Sequence, residues 1–309
     1  MDVLCIGQIV ADVLVKPMQT LDFTLDTQLV DTIQVLPGGD CMNTAVALRM
    51  LDNTVGICGK IGYDSMGDML RNAIFRHGID AKGLRASSEA ATASCLVAIR
   101  ADGARAFFYH GGANMTLEAS DVSPDWIAEC RAVHIGGAYA LSGFDGCGAA
   151  EVLRLAKEKG KTTSMDVTWD VNGRWLDTIR PCLPHLDFFM PSINEARHIT
   201  GRDNPRDAAR FLLAEGVQTA VIKLGAEGCL VMNAGEEFIC PAFPVDAADT
   251  TGAGDCFVAG FLTGLLRGWP LRECARFACA AAALCVTQIG ATSGVRSFSE
   301  TMSFLKSYQ

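Results

Sequence analysis

Asp249-Thr250-Thr251-Gly252-Ala253-Gly254-Asp255 runs straight into Cys256-Phe257-Val258-Ala259-Gly260-Phe261-Leu262, so a glycine-rich turn feeds an apolar helical pattern. Such a turn suits an anion. The first N–H groups of a helix have no intrahelical acceptor, the positive end of the helix dipole points the same way, and glycines let a phosphate approach the backbone closely. Asp255 lies in the same turn, where it would repel a resting phosphate unless cations intervene. A carboxylate at that place is suited to take a proton from a hydroxyl that attacks phosphorus. The same residues also make an ordinary helix start, with Asp255 favouring the dipole. The stretch by itself leaves both readings open.

Around this stretch, short apolar runs recur at Val3–Gly7, Val55–Gly59, Ala132–Gly136, Ser164–Val167, Phe188–Met190 and Ala220–Leu224. Helical patterns separate most of them, at Thr44–Leu51, Met66–His77, Gly148–Lys159, Pro205–Glu215, Cys256–Arg267 and Leu271–Thr287. Alternating strand and helix predicts an α/β fold with a doubly wound, mostly parallel sheet, and continuously apolar strands predict helices on both faces. Residues 10–36 and 92–110 break the rhythm with extended, alternating composition, the second around a turn at Asp102-Gly103. They read as a hairpin with partner strands, or as an extension of the main sheet's edge. No internal repeat, low-complexity tract or linker interrupts the chain, so residues 1–309 read as one domain.

Composition narrows the function. Half of the 309 residues are hydrophobic, enough for a sizeable core. The net charge of -9 and the lack of a Lys/Arg run argue against a nucleic-acid surface. No apolar run reaches the roughly 18 residues that span a bilayer, and the alanine-rich stretch at 278–286 reads as a buried helix. The thirteen cysteines form no C-x-x-C pair, sit mostly in apolar stretches and follow no secretory leader, which predicts reduced thiols in a cytoplasmic protein. The five histidines lack metal-ligand spacing. A dinucleotide-binding oxidoreductase is disfavoured, since neither G-x-G-x-x-G after the first strand nor a P-loop occurs.

Near the N-terminus, Pro37-Gly38-Gly39-Asp40-Cys41-Met42-Asn43-Thr44-Ala45 places two glycines before a helix and an amide about one turn inside it. Asn43 can both donate and accept, which suits a sugar hydroxyl, although a plain glycine turn explains the pattern equally. Asp12 emerges from the apolar run Val10-Ala11-Asp12-Val13-Leu14, where a charge needs a partner unless it lies at a solvated edge.

The segment DTTGAGDCFVAGFLTGLL resembles the C-terminal signature of the ribokinase-like carbohydrate kinases, the PfkB family, and Gly38, Gly39 and Asn43 match that family's N-terminal G-G-x-x-x-N-x-A. The resemblance runs from about residue 1 to 300. It implies a ribokinase-like fold whose small β sheet closes as a lid over the substrate and sometimes pairs two subunits into a homodimer. It implies transfer of the γ-phosphoryl group of MgATP to a primary hydroxyl of a small sugar. Asp255 would be the base, and the N–H groups of Gly252, Ala253 and Gly254 would hold the transferred group. Asp12, Gly38, Gly39 and Asn43 would bind the acceptor, Asp12 through two hydroxyls.

At the nucleotide end, Lys223-Leu224-Gly225-Ala226-Glu227-Gly228 resembles the strand and turn bordering ATP, with Lys223, Gly225 and Gly228 in contact range. Pro191–Gly201 resembles the family's N-x-x-E segment, whose Glu holds the water shell of Mg2+. Glu195 takes that place, and Ser192 stands where the family usually has Asn. Asp249, Thr251 and the loop Thr287–Ala291 resemble a monovalent-cation loop, implying K+, although side-chain capping accounts equally for Asp249 and Thr251. The segment Asp166–Trp175 lacks the D-x-N-x-R pattern of many ketose and keto-acid sugar kinases, and its Trp169 and Trp175 read as core or rim aromatics, core being the default. A nucleoside acceptor remains an alternative if Phe107, Phe108 and Tyr109 offer a stacking surface. A catalytically silent sugar or nucleotide sensor is the other alternative.

Overall fold

The computed structural model describes residues 1–102 and 104–308. In chain order the strands are β1 (Val3–Gly7), β2 (Val10–Lys16), β3 (Thr32–Gly38), β4 (Val55–Gly62), β5 (Asp80–Ser87), β6 (Ser94–Ile99) and β7 (Arg105–His110). They continue as β8 (Ala132–Ala138), β9 (Thr162–Val167), β10 (Phe188–Phe189), β11 (Thr219–Lys223), β12 (Cys229–Asn233) and β13 (Glu237–Cys240). The helices are α1 (Asp40–Met50), α2 (Ser65–Arg76), α3 (Pro124–Glu129), α4 (Cys147–Glu158) and α5 (Leu176–Ile179), then α6 (Ile193–Thr200), α7 (Pro205–Ala214), α8 (Ala253–Leu266), α9 (Leu271–Cys285) and α10 (Phe298–Lys306).

Nine strands form one sheet in the order β13-β12-β11-β10-β9-β8-β1-β4-β5. Its pairs are parallel apart from β11–β12 and β12–β13, which are antiparallel. The period-2 alternation of a strand splits single sequences between two cores. In β1, Val3 and Cys5 join the core formed with α1, α8 and α9, while Leu4 and Ile6 join the core under α4, α6 and α7. β12 divides the same way, Cys229 and Val231 on one face and Leu230 and Met232 on the other. This is the two-faced α/β sheet expected from the apolar runs.

A second sheet holds four strands in the order β3-β2-β6-β7. Asp12 of β2 lies opposite Leu36 of β3 and Cys95 of β6. The irregular segments thus pair with each other and do not extend the main sheet. The extended reading of 10–36 holds only at its ends, since residues 17–31 form no strand. Leu21, Phe23, Leu25 and Leu29 there do alternate with polar residues, but all four side chains are exposed, so no core face holds the stretch as a strand. Gly103 of the expected turn lies outside the described residues, and the Arg100 N–H donates to the Ala104 carbonyl at 2.8 Å across it.

α8 is buried almost all round because its sequence is apolar on every side. It packs so closely on α9 that a Cβ at Gly260 would stand 2.8 Å from Ala278 Cα. α8 also packs on α1, bringing the first turns of these two helices together at the C-terminal edge of the parallel strands, where α/β sheets bind ligands. Twelve of the thirteen cysteines are buried and Cys147 is exposed, all as free thiols. Among the described residues no helix is long and apolar enough to cross a membrane.

Candidate active site

The Asp249 carboxylate shapes the turn before α8. Its Oδ1 accepts the Thr251 N–H at 2.7 Å, and its Oδ2 accepts the Gly290 N–H at 2.8 Å from the facing loop. Gly252 then takes φ 76°, and any Cβ there would collide with the Ala291 carbonyl, so the position needs glycine on both counts. The Ala253 N–H donates to Thr250 O at 3.3 Å. The N–H groups of Gly252, Gly254 and Asp255 have no acceptor among the described residues. Three donors at the positive end of a buried helix make an anion hole.

Asp255 is buried in the first turn of α8, and its Oδ2 accepts Asn43 Nδ2 at 2.9 Å. Burial raises its carboxyl to about 8, the nearby Asp166 charge adds to the rise, and the Asn43 amide and Lys223 ammonium oppose it. Lys223, at the end of β11, pairs with Asp166 Oδ2 at 2.5 Å. Burial would lower the Lys223 ammonium, but the Asp166 and Glu195 carboxylates outweigh that and hold it protonated. Its Nζ would stand 3.2 Å from a Cβ at Gly254, so the cation faces the anion hole. Asp40, the first residue of α1, lies among the same charges and is pushed well above the ordinary carboxylate value by burial and then by Asp255 and Asp166.

These groups line a cavity of about 980 Å³. Asp40, Asp166, Glu195, Lys223 and Asp255 form its polar end, and Phe243, Val245, Ala282 and Val286 form part of an apolar wall. Ser192, Gly225 and Gly228 also border it. Ser192 is the N-cap of α6: its Oγ accepts the Glu195 N–H at 3.3 Å, and Glu195 Oε2 accepts the Ser192 N–H at 2.6 Å. That capping box occupies one Glu195 oxygen. Burial raises Glu195, with Lys223 opposing it. A polyphosphate fits this cavity: the unpaired N–H groups and Lys223 match its charge, and the apolar wall matches a base. Four carboxylates around one lysine also call for a further cation. Among the described residues no three His, Cys, Asp or Glu side chains are grouped to hold a bare metal ion, which fits a cation arriving with phosphate and water as its ligands.

A second group of polar side chains lies against α1. The Asp12 carboxylate has no hydrogen-bond partner among the described residues, and it rests in space that a Cβ at Gly38 would fill. Burial raises its carboxyl to about 7. Gly39 is the N-cap of α1, and Asn43 Oδ1 is buried with no partner among the described residues. A bare carboxylate and an orphaned amide oxygen both await hydroxyl donors. The structure therefore gathers Glu195, Lys223, Gly252, Gly254 and Asp255 around one cavity end, with Asn43 behind them on Asp255, and sets Asp12, Gly38 and Gly39 along the start of α1. Asp249 and Thr251 stand behind the anion hole.

Trp169 departs from the core default and lies at the rim, 51% exposed. It meets the ring of Trp175 edge-on and that of His198 likewise, and Trp175 stacks on His198 with centroids 4.7 Å apart. Asp170 holds this loop by accepting the Asn172 and Trp175 N–H groups. Asp40, Asp166 and Arg105 were not singled out in the sequence, whereas Tyr109 was, as part of a stacking surface. Asp40 stood inside the glycine signature and Asp166 within an apolar strand, both readable as charges needing partners. Tyr109 accepts Asn114 Nδ2 at 3.4 Å beside Gln8, and Arg105 had no local signal.

The profile of the pfkB family carbohydrate kinases matches residues 1–297. A probable fructokinase-5 of Arabidopsis thaliana is 28% identical, over 93% of this chain and 95% of that protein. A ribokinase of Haemophilus influenzae is 31% identical, over 88% of each chain. The structure of Arabidopsis thaliana ribokinase complexed with ribose and ATP superposes with a TM-score of 0.86 over 99% of this chain and 98% of that one, at 24% identity, a likeness of fold.

Proposed function

Since this chain belongs to the pfkB family of carbohydrate kinases and is by class a sugar kinase, we propose that it transfers the γ-phosphoryl group of ATP to a primary hydroxyl of a small carbohydrate, with Asp255 as the base. One observation carries this reading: a buried carboxylate shares the first turn of α8 with three unpaired N–H groups and faces a buried lysine. Bound MgATP supplies the phosphoryl group and a divalent charge beside it. Asp255 takes the proton of the attacking hydroxyl, and its raised pKa makes it a stronger base than a solvated carboxylate. The Gly252, Gly254 and Asp255 N–H groups and Lys223 receive the charge spread over the transferred group. Ala253 contributes its place in the turn, its own N–H being engaged with Thr250.

Asp12 grips two acceptor hydroxyls and Asn43 orients both the acceptor and Asp255. Glu195 and Asp166 hold the water shell of Mg2+, Ser192 fixes Glu195 through the capping box, and Gly225 and Gly228 border the nucleotide. The four-stranded sheet acts as a lid within a single kinase domain, keeping water from the reacting phosphate. Its exposed Ile33, Val35 and Phe107 support pairing with a second copy of the chain. The twelve buried free thiols support a reducing compartment, the cytoplasm. Tyr109, on the lid beside Gln8 and Asn114, keeps a nucleoside acceptor as the second reading, since its ring could stack on a base.

The test is ADP release across pentoses, hexoses, ketoses, sugar acids, phosphosugars and nucleosides. A sugar turning over best supports the proposal. A nucleoside preferred by orders of magnitude would replace the acceptor, and silence in protein that still binds ATP would favour a sensor.

A further inference from the structure

Arg105 opens β7 on the edge of the small sheet, yet its side chain ends in the main body. Its Nη2 lies 2.7 Å from Asp249 Oδ1, and its Nη1 donates to Thr251 Oγ1, across 146 residues of sequence. The guanidinium side chain is only 16% exposed and that of Asp249 4%, so this is a buried pair and not a surface one. Asp249 is the carboxylate that joins the two loops around the anion hole, through Thr251 N–H and Gly290 N–H. Burial alone would raise its pKa; the Gly290 and Thr251 donors and the Arg105 charge bring it below the ordinary value. One fixed positive group therefore balances the charge that shapes residues 249–252, and it is delivered by the lid sheet.

We propose that Arg105 is a positioning residue that serves as the built-in cation of this loop, so that phosphoryl transfer in this chain needs no K+. The inference rests on the kinase reading for its activity arm. The same two groups, Asp249 and Thr251, that would offer oxygens to a monovalent ion already hold the guanidinium, and a second cation beside it would meet repulsion. A tethered guanidinium with planar donors fixes two acceptors at once, which a mobile ion does not. Because Arg105 belongs to β7, its contacts also make the shape of the anion hole depend on where the lid sheet lies. Its Nε is buried with no acceptor among the described residues, which places the weight of the interaction on the two Nη groups.

Removing the guanidinium leaves Asp249 buried and uncompensated, a site for a small cation to fill. The experiment compares the unmutated chain with Arg105→Ala, Arg105→Met and Arg105→Lys in K+ and in tetramethylammonium, by initial rate and by thermal melting without substrates. The expected rates are equal in both salts for the unmutated chain and for Arg105→Lys. The Ala and Met variants should fall by about 10²-fold in tetramethylammonium, the scale of a misplaced catalytic group, and recover at least tenfold with K+ or methylguanidinium. K+ should raise their melting temperatures and leave that of the unmutated chain unchanged, as binding to the folded form alone requires. An unmutated chain that needs K+, or Ala and Met variants that neither melt higher in K+ nor regain rate, overturns the proposal. If no acceptor turns over at all, the kinase reading fails while the melting arm still decides the role of Arg105.

Discussion

Asn43 Nδ2 donates to Asp255 Oδ2 at 2.9 Å and ties the first turn of α1 to the first turn of α8. The two glycine signatures, 212 residues apart, thereby meet in one hydrogen bond between the side proposed to bind the acceptor and the side proposed to bind phosphate. The bond also favours the ionised form of Asp255, against burial and Asp166.

Asn43→Ala should accordingly shift the acidic limb of the rate profile to higher pH and lower kcat at pH 7. The measurement is kcat/KM against pH for both proteins. Coincident limbs would remove Asn43 from the tuning of the base.

The pH dependence of the unmutated chain follows from the same carboxyl. With a folded value of about 8, the free enzyme should gain kcat/KM as pH rises toward 8, because the base must be ionised. Stability runs the other way. A carboxyl raised on folding favours the folded state below its unfolded value, and that contribution is lost as pH rises through about 8. Asp255→Asn should therefore melt higher than the unmutated chain at pH 8 and nearly the same at pH 4, which thermal scans at the two pH values check.

Asp12→Asn should raise the acceptor KM by ten- to a hundredfold, about 1–3 kcal/mol for a lost charged hydrogen bond, with little change in the KM of ATP. Acceptor affinity in the unmutated chain should improve as pH rises through about 7, where Asp12 ionises. Equal changes in both KM values would place Asp12 elsewhere.

Gly252→Ala would push a methyl into the Ala291 carbonyl at a left-handed φ. We expect a loss of stability of about 1–3 kcal/mol from strain and a fall in kcat of about 10²-fold from the displaced donors. Chemical denaturation and steady-state rates measure the two. Unchanged kcat would show that the turn does not shape the phosphate site.

Much of the fold was legible because apolar runs such as Val3–Gly7 and Ala220–Leu224 carry their own signal. α6 was less so, since INEARHIT has only two large apolar residues and is fixed by the Ser192–Glu195 capping box and a left-handed Gly201. α8 begins at Ala253, three residues before the apolar pattern, because its glycine turn hides the first turn. The signatures pointed to Asp255 and Asn43 individually, and only packing of α1 on α8 joins them. Lys223 was read as bordering ATP, but its partner Asp166 lies on another strand 57 residues away. Arg105 was invisible because a lone arginine on an edge strand looks solvated until the loop it reaches is in place.

Single-turnover phosphoryl transfer by Asp255→Asn, with acceptor and ATP affinities taken by calorimetry on the same samples, decides whether Asp255 is the base. A base at Asp255 requires a rate lower by about 10²–10⁴-fold, the range of general base catalysis, with both affinities within a few-fold of those of the unmutated chain. A rate within tenfold of the unmutated chain at equal occupancy would contradict it.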